Sequence, residues 1–404
     1  MLKLFNTSGK KREVFRPVNG SLVTIFTCGP SVYQRSHIGN FRTFLFEDIL
    51  VRYLLYSGYK VRRGMNFTDI EDKAIDEASK QKMSVRRLTD RNIREFIGEM
   101  ELLRMRRPDY LPRASESVNE AVDIIEKLLE IGIAYRYKES IYFDPLKVRG
   151  FGRLYGLDMK RWPKRKRRFH KDTYPGVRWN LGDFILWHGY RKGDRDYWDT
   201  PLGRGRPSWN VQDPAMVVRY FDETLSAYCG GADNLFRHHD YSMAILEAVR
   251  PFPMAAFWLH CQHLQVNGQK MSKSKGNIHY TDTVLKKGYG ADELRFFLMY
   301  GHYRDILSYS DAAMETAALR LRELKRSVGR IKAKAGERGS GGKEAERIRA
   351  VFAREMDNDL DVKKACDGLH DALSEVDIGN LKRGEASGII RALREIDEVL
   401  KVIF

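Results

Sequence analysis

A short, almost wholly apolar run, Leu22–Phe26, opens the regular part of the chain. Apolar residues at successive rather than alternate positions predict a strand covered on both faces, as in a parallel sheet. A loop with Gly29 and Pro30 follows, then Gly39. From about Phe41 to Tyr56 the residues Phe44, Leu45, Ile49 and Tyr53 recur near the helical period. Gly58 stops that helix, and Lys60–Met65 reads as a second strand. Strand, loop, helix and strand in this order predict a βαβ unit and a doubly wound parallel α/β fold.

Downstream, Ser84–Gly132 reads as a helical region, with Ile93, Phe96, Ile97, Met100 and Leu103 on its apolar side. Within it, Asn119–Ile131 is a separate amphipathic helix, and Ile141–Phe143 beyond it has the character of a strand. Between Gly150 and Gly205 the chain turns rich in Gly, Trp and charge, the texture of an irregular insertion. The βα pattern resumes from Trp209 to about Tyr300. Past Ser310, Leu319, Leu321, Leu324 and Val328 mark helices, broken by the Gly-rich stretch Ala335–Glu344 and ending with Ile389–Phe404. The expected organisation is an α/β domain over 1–310, interrupted at about 150–205, and an α-helical bundle over 311–404.

Composition narrows the class. The 404 residues are 43% apolar and include 20 Phe, 20 Tyr and 6 Trp, too many for a chain that never packs. No apolar run approaches the roughly 18 residues a membrane span needs. The start, MLKLFNTSGKKREVF, lacks the apolar core and small-residue cleavage site of a secretory signal. Four cysteines (Cys28, Cys229, Cys261, Cys366) are too sparse for a disulfide scaffold, which points to the reducing cytoplasm. Lys plus Arg number 71 against 54 Asp plus Glu, a net charge of +17. Such an excess favours a polyanionic partner, a solvated basic surface being the alternative. The segment Arg161–Lys171, RWPKRKRRFHK, concentrates that charge around Trp162 and Phe169, so it could track a nucleic-acid strand by phosphate contact and stacking.

Two motifs carry chemistry. HIGN, His37–Asn40, follows the first strand and opens the first helix, where backbone N–H groups and the helix dipole suit a phosphate. His37 and Asn40 can both donate to phosphate oxygens, and Gly39 admits a base or ribose close to the backbone. KMSKS, Lys270–Ser274, lies in VNGQKMSKSKGN, with Gly268 and Gly276 on either side as hinges. Two ammonium groups three residues apart, Lys270 and Lys273, can offset charge building on a departing pyrophosphate.

HIGN with KMSKS resembles the class I aminoacyl-tRNA synthetases. The surrounding text resembles their cysteinyl branch, which includes the mycothiol cysteine ligases. The stretches that carry the resemblance are Thr27–Phe44, Asn66–Ile75 (NFTDIEDKAI), Asp183–His188 (DFILWH), Gly205–Trp209 (GRPSW) and Gly230–His239 (GGADNLFRHH), together with KMSKSKGN, His302–Asp311 and Met356–Asp361. They run colinearly over roughly 1–375. The resemblance implies a Rossmann-type catalytic domain that binds ATP with Mg²⁺ and joins an amino acid, cysteine by resemblance, first to AMP and then to tRNA. It implies that Gly29, Gly39, Gly231, Asp233 and Ser272 bind the nucleotide, Gly231 and Asp233 at the ribose. Cys28, Thr43, Thr68 and Trp209 would then line the aminoacyl pocket.

The family's zinc ion grips the substrate thiol through Cys, Cys, His and sometimes Glu. Here Cys28 and His238 stand at two of those positions, Asp213 takes the second Cys position and Ser242 the Glu position, while Asn210 stands where His is frequent. Cys28, Asp213 and His238 could form an open three-ligand zinc site, harder than one built on two thiolates. Cys229 or Cys261 could supply a replacement thiolate or be small buried side chains. The family's small C-terminal module, beyond the bundle, has no counterpart in this sequence. Three readings stay open: cysteine–tRNA ligation with an altered metal site, adenylation of another amino acid or transfer to a non-tRNA acceptor, and a non-catalytic RNA-binding paralogue.

Overall fold

The computed structural model describes residues 1–158, 160, 183–271, 276–336 and 342–404. The run Arg161–Lys171, and Ser272 and Lys273 of KMSKS, lie outside the described residues.

The elements that build the nucleotide side are β1 (Leu22–Thr27), α1 (Ile38–Tyr56), β2 (Lys60–Met65), α2 (Val85–Leu102), α3 (Trp209–Val218), β3 (Leu225–Gly231), α4 (Asp240–Val249) and β4 (Ala255–Cys261). Four strands form one parallel sheet in the order β4-β3-β1-β2. Thr27 pairs with Met65 on one side and Cys229 on the other, so the chain leaves β1 in one direction for β2 and returns on the opposite flank as β3. The crevice at the carboxyl ends of β1 and β3 is therefore the topological switch point, where open α/β sheets bind ligands.

The helix α1 is buried nearly all round. Its polar residues are accommodated by pairing: Glu47 with Arg63 at 2.9 Å, Asp48 with Arg52 at 2.9 Å and with Arg295 at 2.8 Å, and Arg42 with the carbonyls of Leu298 and His302. The sheet lies on one side of α1. On the other lies the helical C-terminal region, α5 (Asp311–Lys334), α6 (Lys343–Asp357), α7 (Val362–Ser374) and α8 (Arg383–Leu400). Core side chains of the sheet, of α1 and of these four helices form one continuous apolar cluster.

As HIGN opening the first helix implies, α1 begins at Ile38 with His37 as its cap, a turn ahead of the apolar period. The region Ser84–Gly132 holds the two helices expected, α2 and Val118–Glu130, parted by a segment with Pro108 and Pro112, which cannot continue a helix. Two expectations change. The insertion is not wholly irregular: Phe184–Gly189 is an inner strand of an antiparallel sheet with Ala134–Tyr137, Ser140–Phe143 and Gly205–Pro207. Its residues FILWHG are buried or half-buried, so no alternation betrays a strand. Finally, α8 spans Arg383–Leu400, after which Lys401 turns left-handed (φ 57°).

Candidate active site

His37 occupies the N-cap of α1 with extended backbone (φ −103°, ψ 168°). Its Nδ1 accepts from the Asn40 N–H at 3.3 Å, and Asn40 Oδ1 accepts from the His37 N–H at 3.0 Å. This reciprocal capping box fixes both side chains at the mouth of the helix. The expectation of open backbone donors here is corrected in part. The Ile38 N–H donates to the His279 carbonyl at 3.0 Å, and the Asn40 N–H is taken by the cap. The first turn therefore keeps fewer free peptide groups than the sequence suggests. Since Asn40 turns its amide oxygen to His37, its NH₂ end faces away from the cap.

The second motif reaches the first. Leu264–Val266 and Gln269–Lys270 form a hairpin whose turn residues Asn267 and Gly268 both have positive φ (49° and 75°). That is the signature of a tight two-residue turn, so Gly268 sets a fixed hairpin rather than a hinge. Leu264–Val266 also pairs in parallel with Leu307–Tyr309, which anchors the backbone of Lys270 to the body of the protein. The next residue, Met271, is buried, and its methyl would lie 2.6 Å from a Cβ built on Gly39. The HIGN and KMSKS segments are thus in direct contact.

At the switch point, Gly29 runs so close to β2 that a Cβ there would lie 1.9 Å from the Asn66 carbonyl oxygen. The Gly29 N–H donates to Asn66 Oδ1 at 2.9 Å, and the Cys28 N–H donates to the Cys229 carbonyl at 2.9 Å. A Cβ on Gly231, at the end of β3, would lie 2.7 Å from Asp233 Oδ1 and 3.8 Å from Thr43 Oγ1, so these three predicted residues converge. Asp233 is exposed, with the His263 ring 3.9 Å away. Thr68 is buried, held by backbone pairing to Pro30 and Val32.

Beneath them lies a buried polar cluster. Ligand atoms of Cys28, His238 and His239 all fall within 4.8 Å of one another. Sequence reasoning had joined Cys28 and His238 to Asp213. Asp213 Oδ2 is 2.9 Å from His238 Nε2, and the same carboxylate accepts from Tyr228 and from Asn66 Nδ2 (3.0 Å). His239 was missed because it follows His238 directly, and adjacent residues of an α-helix diverge. Here Leu235–His239 forms a π turn leading into α4, a widening common at functional sites and invisible in apolar periodicity. Trp209 stacks on His238, centroids 4.3 Å apart and planes within 3°. His239 Nδ1 meets His260 Nε2 at 2.8 Å, and His260 Nδ1 meets Thr7 Oγ1 at 2.8 Å. Cys229 and Cys261, the candidate replacement thiolates, are buried outside this trio, and Asn210 donates to the Ile185 carbonyl.

Electrostatics suit a cation. Burial, followed by the nearby Asp213 charge, holds the Cys28 thiol well above the usual range, so without a metal it stays protonated and bonds to that carboxylate. Burial opposes ionisation of Asp213 too, but His238, Tyr228 and the thiol together bring its carboxyl below the ordinary value. Burial drives His239 well down and His260 to about 3, so both rings are neutral. Buried nitrogens His238 Nδ1 and His239 Nε2 and the hydroxyl of Ser242 have no protein partner among the described residues. A thiol and two imidazoles, with a carboxylate and a third imidazole bonded behind the two rings, match a zinc site with an open position. The residues fit the metal.

A class I synthetase is what the sheet, its switch point and the paired motifs define. The chain belongs to that class: the family described as "tRNA synthetases class I (C) catalytic domain" matches residues 14–319. Within it the chain belongs with the cysteine–tRNA ligases. That of Chlamydia pneumoniae is 36% identical over 417 aligned positions, covering 100% of this chain and 86% of that protein. That of Koribacter versatilis is 33% identical, covering 100% and 82%. The fold alone is shared with a methionyl-tRNA synthetase of Mycobacterium tuberculosis solved with methionyl-adenylate (TM-score 0.66, 15% identity, 95% of this chain and 90% of that one). It is shared also with a putative arginyl synthetase of Campylobacter jejuni (TM-score 0.62, 12% identity, 96% and 94%).

Proposed function

We propose that this enzyme activates cysteine with Mg-ATP and transfers it to tRNA, selecting the substrate thiol through a metal held by Cys28, His238 and His239. The observation that carries this reading is the buried trio of one thiol and two imidazoles at the switch point, against Gly230 at the end of β3. Asp213 then orients His238 rather than replacing a thiolate, and His260 orients His239. A zinc ion bound there would favour a sulfur ligand over a hydroxyl and so discriminate cysteine from serine.

In the adenylation step the carboxylate of the amino acid attacks the α-phosphorus of ATP, the bond from that phosphorus to the α,β-bridging oxygen breaks and pyrophosphate leaves. His37 and Asn40, fixed by their shared cap, hold the phosphates, and Lys270 with Lys273 offset the charge on the leaving group. Gly231 and Asp233 bind the ribose, while Gly29, Gly39 and Ser272 complete the nucleotide site. Thr43, Thr68 and Trp209 line the aminoacyl pocket, Trp209 also bracing the His238 ring. A tRNA hydroxyl then displaces AMP. No protein nucleophile is needed, because positioning and electrostatics supply the rate. The basic run Arg161–Lys171 supplies phosphate contacts for the tRNA. The reaction belongs in the cytoplasm, in keeping with four free cysteines; no helix among the described residues is long and apolar enough to cross a membrane.

Pyrophosphate exchange into ATP across a panel of amino acids, together with metal analysis of protein purified without chelator, tests the reading. Exchange with cysteine and near-stoichiometric zinc are expected. Exchange with another amino acid but not cysteine would overturn the substrate, and no exchange with any, even with tRNA present, would leave RNA binding alone.

A further inference from the structure

Between the two ATP motifs lies a charged junction to which neither motif assigns a role. Arg35, two residues before His37, directs its guanidinium to two acids from different parts of the chain. It meets Glu99 of α2 through Nε at 3.1 Å and NH2 at 2.6 Å, and Asp282 through NH1 at 2.8 Å. Its carbon Cζ also lies 4.9 Å from the centre of the Tyr280 ring. Tyr280 and Asp282 begin the short helix Thr281–Leu285 that follows KMSKSKGN. One peptide earlier, the His279 carbonyl accepts from the Ile38 N–H, the first residue of α1. Arg35 and Ile38 therefore hold the segment His279–Asp282 against the turn that carries His37, and α2 supplies the backing through Glu99.

The physical chemistry favours a positioning role over an ordinary surface pair. Arg35 is about a third exposed and Glu99 nearly buried, so this contact is screened less than an exposed one. The planar guanidinium satisfies two acids and a ring face at once, which a lysine cannot do. Burial raises the Asp282 carboxyl, but the Arg35 charge and hydrogen bond, with Lys286, together hold it below its ordinary range, as expected of a close pair. We infer that Arg35 is a positioning residue for the adenylation step, fixing the segment that follows the lysine motif relative to His37 through Glu99, Asp282 and Tyr280. It rests on the adenylation reading above.

The test is pyrophosphate exchange with the full-length enzyme, wild type against Arg35→Met, Arg35→Lys, Asp282→Asn and the double variant R35M/D282N, with active-site titration and Tm for each. Arg35→Met is expected to lower kcat about 10- to 100-fold, the scale of a small misplacement of reacting groups, with the KM for the amino acid within twofold. Arg35→Lys should recover part of the loss, and R35M/D282N should be no worse than Arg35→Met. Asp282→Asn, at an exposed site, guards against simple misfolding: it should lower kcat with an unchanged Tm. A fall confined to Tm and active fraction, with kcat per titrated site preserved, overturns the inference, as does strict additivity of the two substitutions. Absence of exchange in the wild type defeats the adenylation reading instead, so the two failures are distinct.

Discussion

Met271 rests on Gly39: its methyl occupies a position 2.6 Å from where a Cβ at Gly39 would stand, and the His37 ring is 3.1 Å from the same point. The glycine of the first motif thus does more than admit a ligand. It seats the methionine of the second motif and gives the imidazole its room. Gly39→Ala should displace both, because a methyl cannot fit at these distances without movement. The flexible Met271 side chain yields easily, but the His37 ring is held by the cap. The expected outcome is a 10- to 100-fold fall in kcat for pyrophosphate exchange with only a small change in Tm. If Met271 were the only obstacle, G39A/M271A would regain full activity. Incomplete recovery would identify the His37 ring as the sensitive partner.

The metal trio makes a sharper claim about which side chains bind and which support. His239→Ala should abolish stoichiometric zinc, whereas Asp213→Asn should weaken zinc roughly 10- to 100-fold, the usual effect of losing a group behind a ligand. Elemental analysis after dialysis against graded chelator reads the difference. The opposite ranking would return the ligand role to Asp213.

Much of this was legible in the chain, and the illegible parts have physical reasons. The βαβ unit follows from doubly buried strands such as Leu22–Thr27, whose continuous apolarity survives without any alignment. The helix start at Ile38 was legible from HIGN itself, although its cap is a histidine, outside the residues that usually cap helices. Phe184–Gly189 was lost in its surroundings, since a buried inner strand between charged and Gly-rich neighbours has no period to detect. Cys28, Asp213 and His238 do meet in space, but the partner His239 depends on a π turn that no simple pattern encodes. Arg35 is the same kind of case: its partners are distant in sequence and of ordinary type.

Behind the switch point, Glu47 of α1 and Arg63 of β2 form a fully buried pair at 2.9 Å, with Thr27 bonded to the arginine. Burial raises the Glu47 carboxyl to about 8, outweighing the opposing pull of Arg63. A glutamate in the unfolded chain titrates at about 4.3, so between that pH and about 8 the native state retains a proton that the unfolded state has lost. The contribution is therefore fully present below the unfolded value and is lost as pH rises to about 8. Glu47→Gln removes the titration while keeping the shape. The Tm of this variant minus that of the wild type should rise steadily between pH 5 and pH 8 and then level off. A difference independent of pH would show that Glu47 keeps an ordinary pKa in the folded protein.

The end of α8 is tied by a single carboxylate. Asp397 accepts from the N–H groups of Val402 and Ile403 at 2.8 Å each through Oδ1, and from Phe404 at 3.1 Å through Oδ2. This folds the tail back after the left-handed Lys401 and buries Val402 and Ile403 in the main apolar cluster. The buried Arg295 donates to the Leu400 carbonyl and to the Leu103 carbonyl at 2.7 Å each, linking the same tail to the segment after α2. Asp397→Ala leaves three amide groups to find water in a partly buried setting. Hydrogen bonds to a charged group are each worth about 1.5–3 kcal/mol, and the tail can rearrange, so a loss of roughly 2–4 kcal/mol is expected. The adjacent Glu398 is exposed and its side chain pairs with Lys401, so Glu398→Ala should change stability by no more than about 0.5 kcal/mol. Since α8 packs on α1, and α1 carries His37 at its far end, kcat per folded molecule should stay near wild type at low temperature. It should fall only where the tail begins to melt. Urea unfolding of the two variants, run beside exchange assays at graded temperatures, reads both halves of this expectation. Equal destabilisation by the two substitutions would remove the special role assigned to Asp397.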